Sequence, residues 1–254
     1  MTAAHPFDAL DVAAAPRELV AVGGVLDAAT LRAAYRNGVF PWPPSVEDER
    51  AHDRAVRRLV RRGDVLLLPG TPDGPLVPWV SPQPRAVLLT ERVTVPRTLR
   101  RLLRRTGWET TLDARFEEVV ERCADRPDGT WITPAVRAAY AELHRAGGAH
   151  SVEVWDGARL VGGLYGVLSG RVFSGESMFF VESGASKAAV LDLCRRLVEA
   201  EVPLLDTQQE SEHLAAMGQV LVDRAEYVAV VRALQAQVVA LPRDRRAVPD
   251  LLPG

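Results

Sequence analysis

Glu176 sits in RVFSGESMFFVESGASK (residues 171–187), and within its run VFSGESMFFV apolar and aromatic residues surround one carboxylate. Burying an unpaired charge is expensive. Glu176 therefore requires a partner, either a structural cation or one that arrives with a substrate. Further along, the apolar stretch LLDTQ ends in Asp206 and Gln208. Two positions apart on a strand, they point to one side, and Thr207 between them is expected to face away. Alone this is an ordinary strand-to-loop exit. Taken with Glu176, Asp206 makes an acidic cleft in apolar surroundings, which suits a cationic substrate. His213 follows, readable as a base or as a structural histidine after a strand.

Arg97, Arg100, Arg101, Arg104 and Arg105 recur at helical spacing and share a face, leaving Leu99, Leu102 and Leu103 to anchor the other. Such a run is either a solvated surface or a seat for a polyanion, because like charges without acids among them repel. Trp42 in FPWPP and Trp131 in DGTWITP lie in turn-like contexts. Each is a plug pinning a loop to the core or a platform for stacking a base.

Other chemistries find no support. There is no GxSxG elbow, no Walker A or GxGxxG loop, and no metal-ligand spacing among the histidines. The 254 residues suffice for one large domain, or a medium one with a small one, and for a core without disulfides or metal. A net charge of −2 gives no bulk sign of nucleic-acid binding. Cys123 and Cys194, far apart, read as reduced thiols. No apolar run reaches bilayer length, and the first residues lack the pattern of a signal peptide. The expectation is a soluble cytoplasmic protein with no membrane contact. The chain has one Lys (Lys187), one Ile (Ile132) and one Asn (Asn37), in GASK, WITP and YRNGVFPW. In so arginine-rich a chain, their survival points to physical constraint at those stretches.

The elements that must position these residues follow from punctuation and periodicity. Residues 1–20 are expected to pack loosely. LDAATLRAAYRNG reads as a helix capped by Asp27 and stopped at Asn37-Gly38. Residues 45–63 read as a charged helix, acids early and arginines late. After a boundary near residue 85, AVLLTERVTV reads as strand, PRTLRRLLRRTG as a helix begun by proline, and DARFEEVVERCADR as a helix capped by Asp113. Thr133-Pro134 opens another helix. Asp156-Gly157 and Ser169-Gly170 punctuate an antiparallel meander, with a type I′ turn at the former. A helix from GASK, the strand VPLLDTQ, a last helix and a frayed tail complete the chain. The fold class is α+β: a small N-terminal domain (1–85) and a second domain (86–254) with a mostly antiparallel sheet flanked by helices, an order compatible with GNAT-type acyltransferases. The pyrophosphate loop by which GNAT enzymes hold acetyl-CoA is missing, so acetyl-CoA is not the expected donor.

Together these motifs resemble the leucyl/phenylalanyl-tRNA–protein transferases. The matching stretches are GGVLDAATLRAAYRNGVFPW, WVSPQPRAVL, GTWITPAVRAAYAELHRAGGAHSVEVW, LVGGLYGV, VFSGESMF, GASKAAV and LLDTQ, in family order over most of residues 20–230. The resemblance implies a GNAT-like C-terminal domain and transfer of Leu, Phe or sometimes Met from aminoacyl-tRNA (Leu-tRNA or Phe-tRNA) to the α-amino group of proteins beginning with Arg or Lys, creating an N-degron. It implies no metal and no small cofactor. It places tRNA phosphates on Arg97, Arg100, Arg101, Arg104 and Arg105, and the 3′-terminal adenosine near Trp42 and Trp131. The aminoacyl side chain falls among Leu164, Phe173, Met178, Leu193 and Leu205. Glu176, Asp206 and Gln208 surround the acceptor amine as the catalytic set, with Gln208 orienting it and Asp206 positioning Gln208 and adding negative potential. Two departures stand out: a longer, basic segment over residues 43–77, and Thr207 where cysteine is familiar. The alternatives are an acetyl-CoA-dependent N-acetyltransferase and a non-catalytic module that binds RNA or basic N-termini.

Overall fold

The computed structural model describes residues 5–43, 49–73, 76–127 and 129–252. The chain begins with α1 (Pro6–Ala9), β1 (Leu19–Gly23), α2 (Ala28–Tyr35), β2 (Phe40–Pro41), α3 (Glu49–Arg61), β3 (Leu66–Leu68) and β4 (Pro78–Val80). Then come β5 (Arg85–Leu89), α4 (Arg97–Leu103), β6 (Glu109–Leu112), α5 (Phe116–Ala124), α6 (Pro134–Arg145), β7 (Ala149–Asp156), β8 (Arg159–Ser169) and β9 (Val172–Phe180). α7 (Ala185–Glu199), β10 (Leu204–Gln208), α8 (Glu212–Ala215), β11 (Val220–Val222), α9 (Arg224–Leu234) and β12 (Arg246–Ala247) finish it.

The class is α+β, and the strands divide between two sheets. Strands from residues 19–80 form a four-stranded sheet ordered β2-β4-β1-β3; strands from residues 85–247 form an eight-stranded sheet ordered β11-β5-β10-β9-β8-β7-β6-β12. Both are mixed: where a mostly antiparallel sheet was expected, the larger one has six antiparallel neighbouring pairs and one parallel pair among the described residues. β1 runs parallel to β3, and β10 parallel to β9 at the centre of the larger sheet. Parallel neighbours need a crossover connection, and α7 supplies it for the central pair. That pair is short. Leu204, Leu205 and Asp206 align with Val172, Phe173 and Ser174, and pairing stops there although β9 continues to Phe180. The strands separate where the sequence places its polar residues.

Local signals account for many boundaries. The Asp27 carboxylate accepts the Thr30 amide at 2.8 Å, capping α2. Gly38 ends it with φ of 74°, a conformation that costs glycine little. Thr133 caps α6 through the Val136 amide, and β7, β8 and β9 form the expected meander. The hairpin turn falls on Gly157 and Ala158, with positive φ only at Gly157, so it is not type I′, which needs positive φ at both. Asp113 is not a helix cap: its carboxylate takes the Ser151 amide and the His150 ring, and Arg115 occupies the cap position of α5.

Both termini are better packed than expected. Phe7 and Val12 are buried, with Phe7 edge-on to Trp79 at 5.2 Å. Arg224 of α9 donates to the carbonyls of Ala15 and Arg17. At the other end β12 pairs with β6, Val248 and Leu251 are buried, and Arg196 binds the carbonyls of Pro242 and Asp244. The apolar core is continuous across residue 85: Phe7, Leu31, Tyr35 and Trp79 cluster with Phe116, Tyr140, Tyr165 and Tyr227. Cys123 and Cys194 are free and buried, and burial pushes each thiol up to about 12. Among the described residues no helix is long and apolar enough to cross a membrane.

Candidate active site

β10 carries Asp206 into the protein, where it is 0 % exposed. Its partner comes from the neighbouring strand. Arg85 donates from Nε to Oδ1 at 2.8 Å and from Nη2 to Oδ2 at 2.7 Å, a bidentate pair. Ser174 at 3.0 Å, Tyr227 at 2.8 Å and the backbone amide of Gln208 at 3.0 Å also donate to this carboxylate. Arg85 lies over the rings of Phe40 (4.9 Å) and Tyr227 (4.4 Å) and donates to the Gly38 carbonyl. Burial works against the Arg85 charge, but the Asp206 carboxylate and the tyrosine beside it prevail, and its pKa is raised. Asp206 is thus paired with Arg85, which offsets part of the negative potential expected of it in an acidic cleft. Its contact to the cleft passes through the Gln208 amide.

A bulge shapes the end of this strand. Asp206 stands opposite Val87 and Gln208 opposite Ala86, so Thr207 is the extra residue, and Gln208 adopts φ of 58°. Thr207, expected to face away, instead borders the cavity, with its hydroxyl donating to the Ala86 carbonyl at 3.0 Å and accepting Gln219 at 2.6 Å.

Glu176, on β9 beyond the point of separation, meets no cation among its hydrogen-bonding partners. Tyr140 donates its hydroxyl to Oε2 at 2.8 Å, and Gln208 donates Nε2 to Oε1 at 3.1 Å. The Tyr35 hydroxyl lies 2.5 Å from that of Tyr140; with the Tyr140 proton given to Glu176, Tyr35 is the donor. Burial raises Glu176 to about 7, and Asp206 adds to the rise, against the hydrogen bonds of Tyr35 and Tyr140 and the charge of Arg85. Burial, reinforced by Glu176, holds both tyrosines well above their ordinary range, so they remain donors. Because its nitrogen faces a carboxylate, Gln208 keeps its side-chain oxygen as the free acceptor.

These groups border a cavity of about 420 Å³. Leu164, Met178, Leu193 and Leu205 line it, together with Val190 and Leu214. Phe173 does not: it is fully buried beneath the lining, with its ring edge against Gly166. Trp42, 39 % exposed, and the half-buried Trp131 both border the cavity, and Trp42 packs beside Phe40 with ring centres 5.9 Å apart. Arg126 and Glu210 add one charge of each sign to the rim, and Arg126 is tied to Ser177 and to the Met178 carbonyl, both at 3.2 Å.

The five arginines lie elsewhere. Arg97, Arg100 and Arg101 are on α4, Arg104 and Arg105 in the turn after it, and all five line one shallow surface depression. Among the described residues none of them has an acidic partner. Leu99 and Leu103 are buried, whereas Leu102 is partly exposed, against Gly184. His213 sits on α8 and is not part of the cavity wall.

Tyr35, Tyr140, Arg85 and Tyr227 were not anticipated as site residues. A buried tyrosine on a helix has no sequence mark that separates it from core. Arg85 carries a weak one, a cation leading straight into the apolar strand AVLL.

Two family models match the chain. A family model described as leucyl/phenylalanyl-tRNA protein transferase matches residues 87–232, and one for the N-terminal domain of the same proteins matches residues 24–50. The leucyl/phenylalanyl-tRNA–protein transferase of Xanthomonas oryzae is 41% identical over 232 residues, covering 89% of this chain and 82% of that protein. That of Xylella fastidiosa is 41% identical over 226 residues, covering 87% and 82%, and that of Shewanella denitrificans 38% identical over 223 residues, covering 87% and 84%. The chain belongs to the leucyl/phenylalanyl-tRNA–protein transferase family.

Proposed function

We propose that this protein transfers leucine or phenylalanine from aminoacyl-tRNA to the α-amino group of proteins beginning with Arg or Lys, marking them for degradation. One observation carries the acceptor assignment: Glu176, held by hydroxyl and amide donors only, borders a cavity that also offers two indoles and an apolar wall. A cationic N-terminal residue supplies the charge partner that Glu176 lacks. The indoles of Trp42 and Trp131 receive the terminal adenosine, and Leu164, Met178, Leu193 and Leu205 receive the aminoacyl side chain. An apolar pocket separates substrates differing by a methylene by only about 1–3 kcal/mol, so more than one donor is accepted. The arginines of α4 and its following turn bind tRNA phosphates.

In the reaction the acceptor nitrogen attacks the ester carbonyl carbon. A C–N bond forms, the ester C–O bond breaks, the tRNA 3′ oxygen leaves with a proton, and the amine loses one. The ester is already activated, so alignment supplies most of the acceleration. Gln208 orients the amine through its side-chain oxygen. Asp206 is a positioning residue: paired with Arg85, it fixes the bulge that presents Gln208. Residues 1–85 and 86–254 are read as two domains that share one apolar core; the division of strands between the sheets supports this, with Arg85 already the first residue of β5 in the larger sheet. The larger sheet is GNAT-like, supported by a central parallel pair that diverges at the site.

Gln208→Ala tests this. We expect kcat to fall by about 10²-fold, the scale of a misplaced reactant, with tRNA affinity unchanged. Unchanged turnover would remove Gln208 from the reaction.

A further inference from the structure

Helix α3 carries a second basic surface, separate from the arginines of α4. Arg58, Arg61 and Arg62 are exposed and, among the described residues, have no acidic partner. Arg57, paired with Asp53 at 3.5 Å, and Arg54 are exposed beside them. The other side of the helix is already occupied. Val56 is buried with Val22, Val65 and Leu76, and Leu59 and Val60 pack partly buried on the same cluster. The helix turns its apolar side to the small sheet and its arginines to solvent.

The surface starts near the cavity mouth. Asp53 accepts the Leu76 amide at 3.1 Å. Leu76 precedes Pro78 by two residues, and the Pro78 carbonyl accepts the Trp42 amide at 2.9 Å. Two extended residues span about 7 Å, so this turn of α3 lies within roughly 15 Å of the Trp42 backbone. From Asp53 the helix continues to Arg61 for about 12 Å. A nucleic acid whose 3′ end rests on Trp42 brings dense phosphate charge into this range.

We propose that α3 is a phosphate-binding surface for the body of the donor tRNA, beyond the 3′ end held in the cavity. This rests on the aminoacyl-tRNA reading above. Charge complementarity favours RNA over an anionic membrane, because a helix lying on a bilayer must bury its apolar face in lipid, and that of α3 faces the sheet.

The test compares wild type with Arg58→Ala/Arg61→Ala/Arg62→Ala and with the corresponding triple Lys variant, in the full chain. Binding of labelled tRNA is measured across a salt series, and transfer is measured from both aminoacyl-tRNA and an aminoacyl-adenosine without phosphates. We expect the Ala variant to bind tRNA about tenfold or more weakly at low salt, with the slope of log K against log salt reduced by about two to three, near one per arginine. The Lys variant stays close to wild type, and all three proteins use aminoacyl-adenosine equally. Unchanged tRNA affinity and slope in the Ala variant overturn the proposal. So does a loss confined to anionic phospholipid vesicles. The binding slope decides this proposal by itself, whereas a wild type that transfers from neither donor contradicts the transferase reading.

Discussion

Arg85 and Asp206 form a fully buried bidentate ion pair, at 2.7 and 2.8 Å, directly behind the cavity. The pair locks β5 to β10 at the bulge and anchors the backbone of Gln208. The geometry of the candidate site and the stability of the fold are thus coupled in one interaction.

Arg85→Met leaves the Asp206 charge buried and unpaired. The expected loss is about 3–5 kcal/mol, the usual cost of breaking a buried pair from one side. Urea denaturation checks it, and the double variant Arg85→Met/Asp206→Leu should recover much of the loss. A single variant as stable as wild type would show that the pair does not hold the strand.

Glu176 makes stability fall with rising pH. Its carboxyl titrates near 4.5 when unfolded and at about 7 in the native protein. The burial cost is absent below about 4.5, grows between those values and is complete above 7. Glu176→Gln removes it. The variant should match wild type near pH 4 and exceed it at pH 8 by at most about 3 kcal/mol, since the residue is only half-buried and cavity water screens part of the cost. Thermal denaturation at the two pH values measures the difference.

Tyr140→Phe removes a hydrogen bond that lowers the Glu176 pKa. With a cationic acceptor, transfer requires the carboxylate form. The kcat/KM profile for an Arg-starting peptide should therefore rise through about pH 7 in wild type, rise at higher pH in Tyr140→Phe, and lose this inflection in Glu176→Gln.

Met178→Ala and Phe173→Ala separate pocket wall from core. Met178 borders the cavity and is half-buried, so its truncation should change the ratio of Phe to Leu transfer at little cost in stability. Phe173 is fully buried below it, and its truncation should cost about 3–5 kcal/mol. Donor competition and urea denaturation report the two effects.

Trp42→Ala should raise KM for aminoacyl-tRNA by about tenfold or more, matching about 1–3 kcal/mol for a lost base stack. Its indole packs on Phe40, so stability is measured alongside, and an unchanged KM in a folded variant would place the adenosine elsewhere.

Much of the fold is legible where local chemistry decides it: the Asp27 and Thr133 caps, the Asn37-Gly38 stop and the meander. The lone Asn37 and Ile132 are indeed constrained. Asn37 is buried and hydrogen-bonds Asp8 and the Ala33 carbonyl, and Ile132 is buried in the core. Long-range contacts are not legible in this way. Nothing near Pro6 or Pro249 announces that Phe7 or Val248 will be buried by distant elements. In the site, Glu176 and Gln208 stand out by residue type, but the pairing of Asp206 depends on Arg85, a residue 121 positions away. Period-two alternation does not hold at Thr207, because a bulge resets it, and a bulge arises from pairing rather than from any one residue. The family resemblance implies Phe173 in the aminoacyl pocket, but the ring is fully buried and lies outside the cavity lining.

The most direct test mixes the purified protein with labelled Leu-tRNA and two peptides, identical except for an N-terminal Arg or Asp. Label is expected on the Arg peptide only. Label on both peptides alike would contradict the assignment of a cationic acceptor to Glu176, and label on neither, with tRNA still bound, would contradict transfer itself.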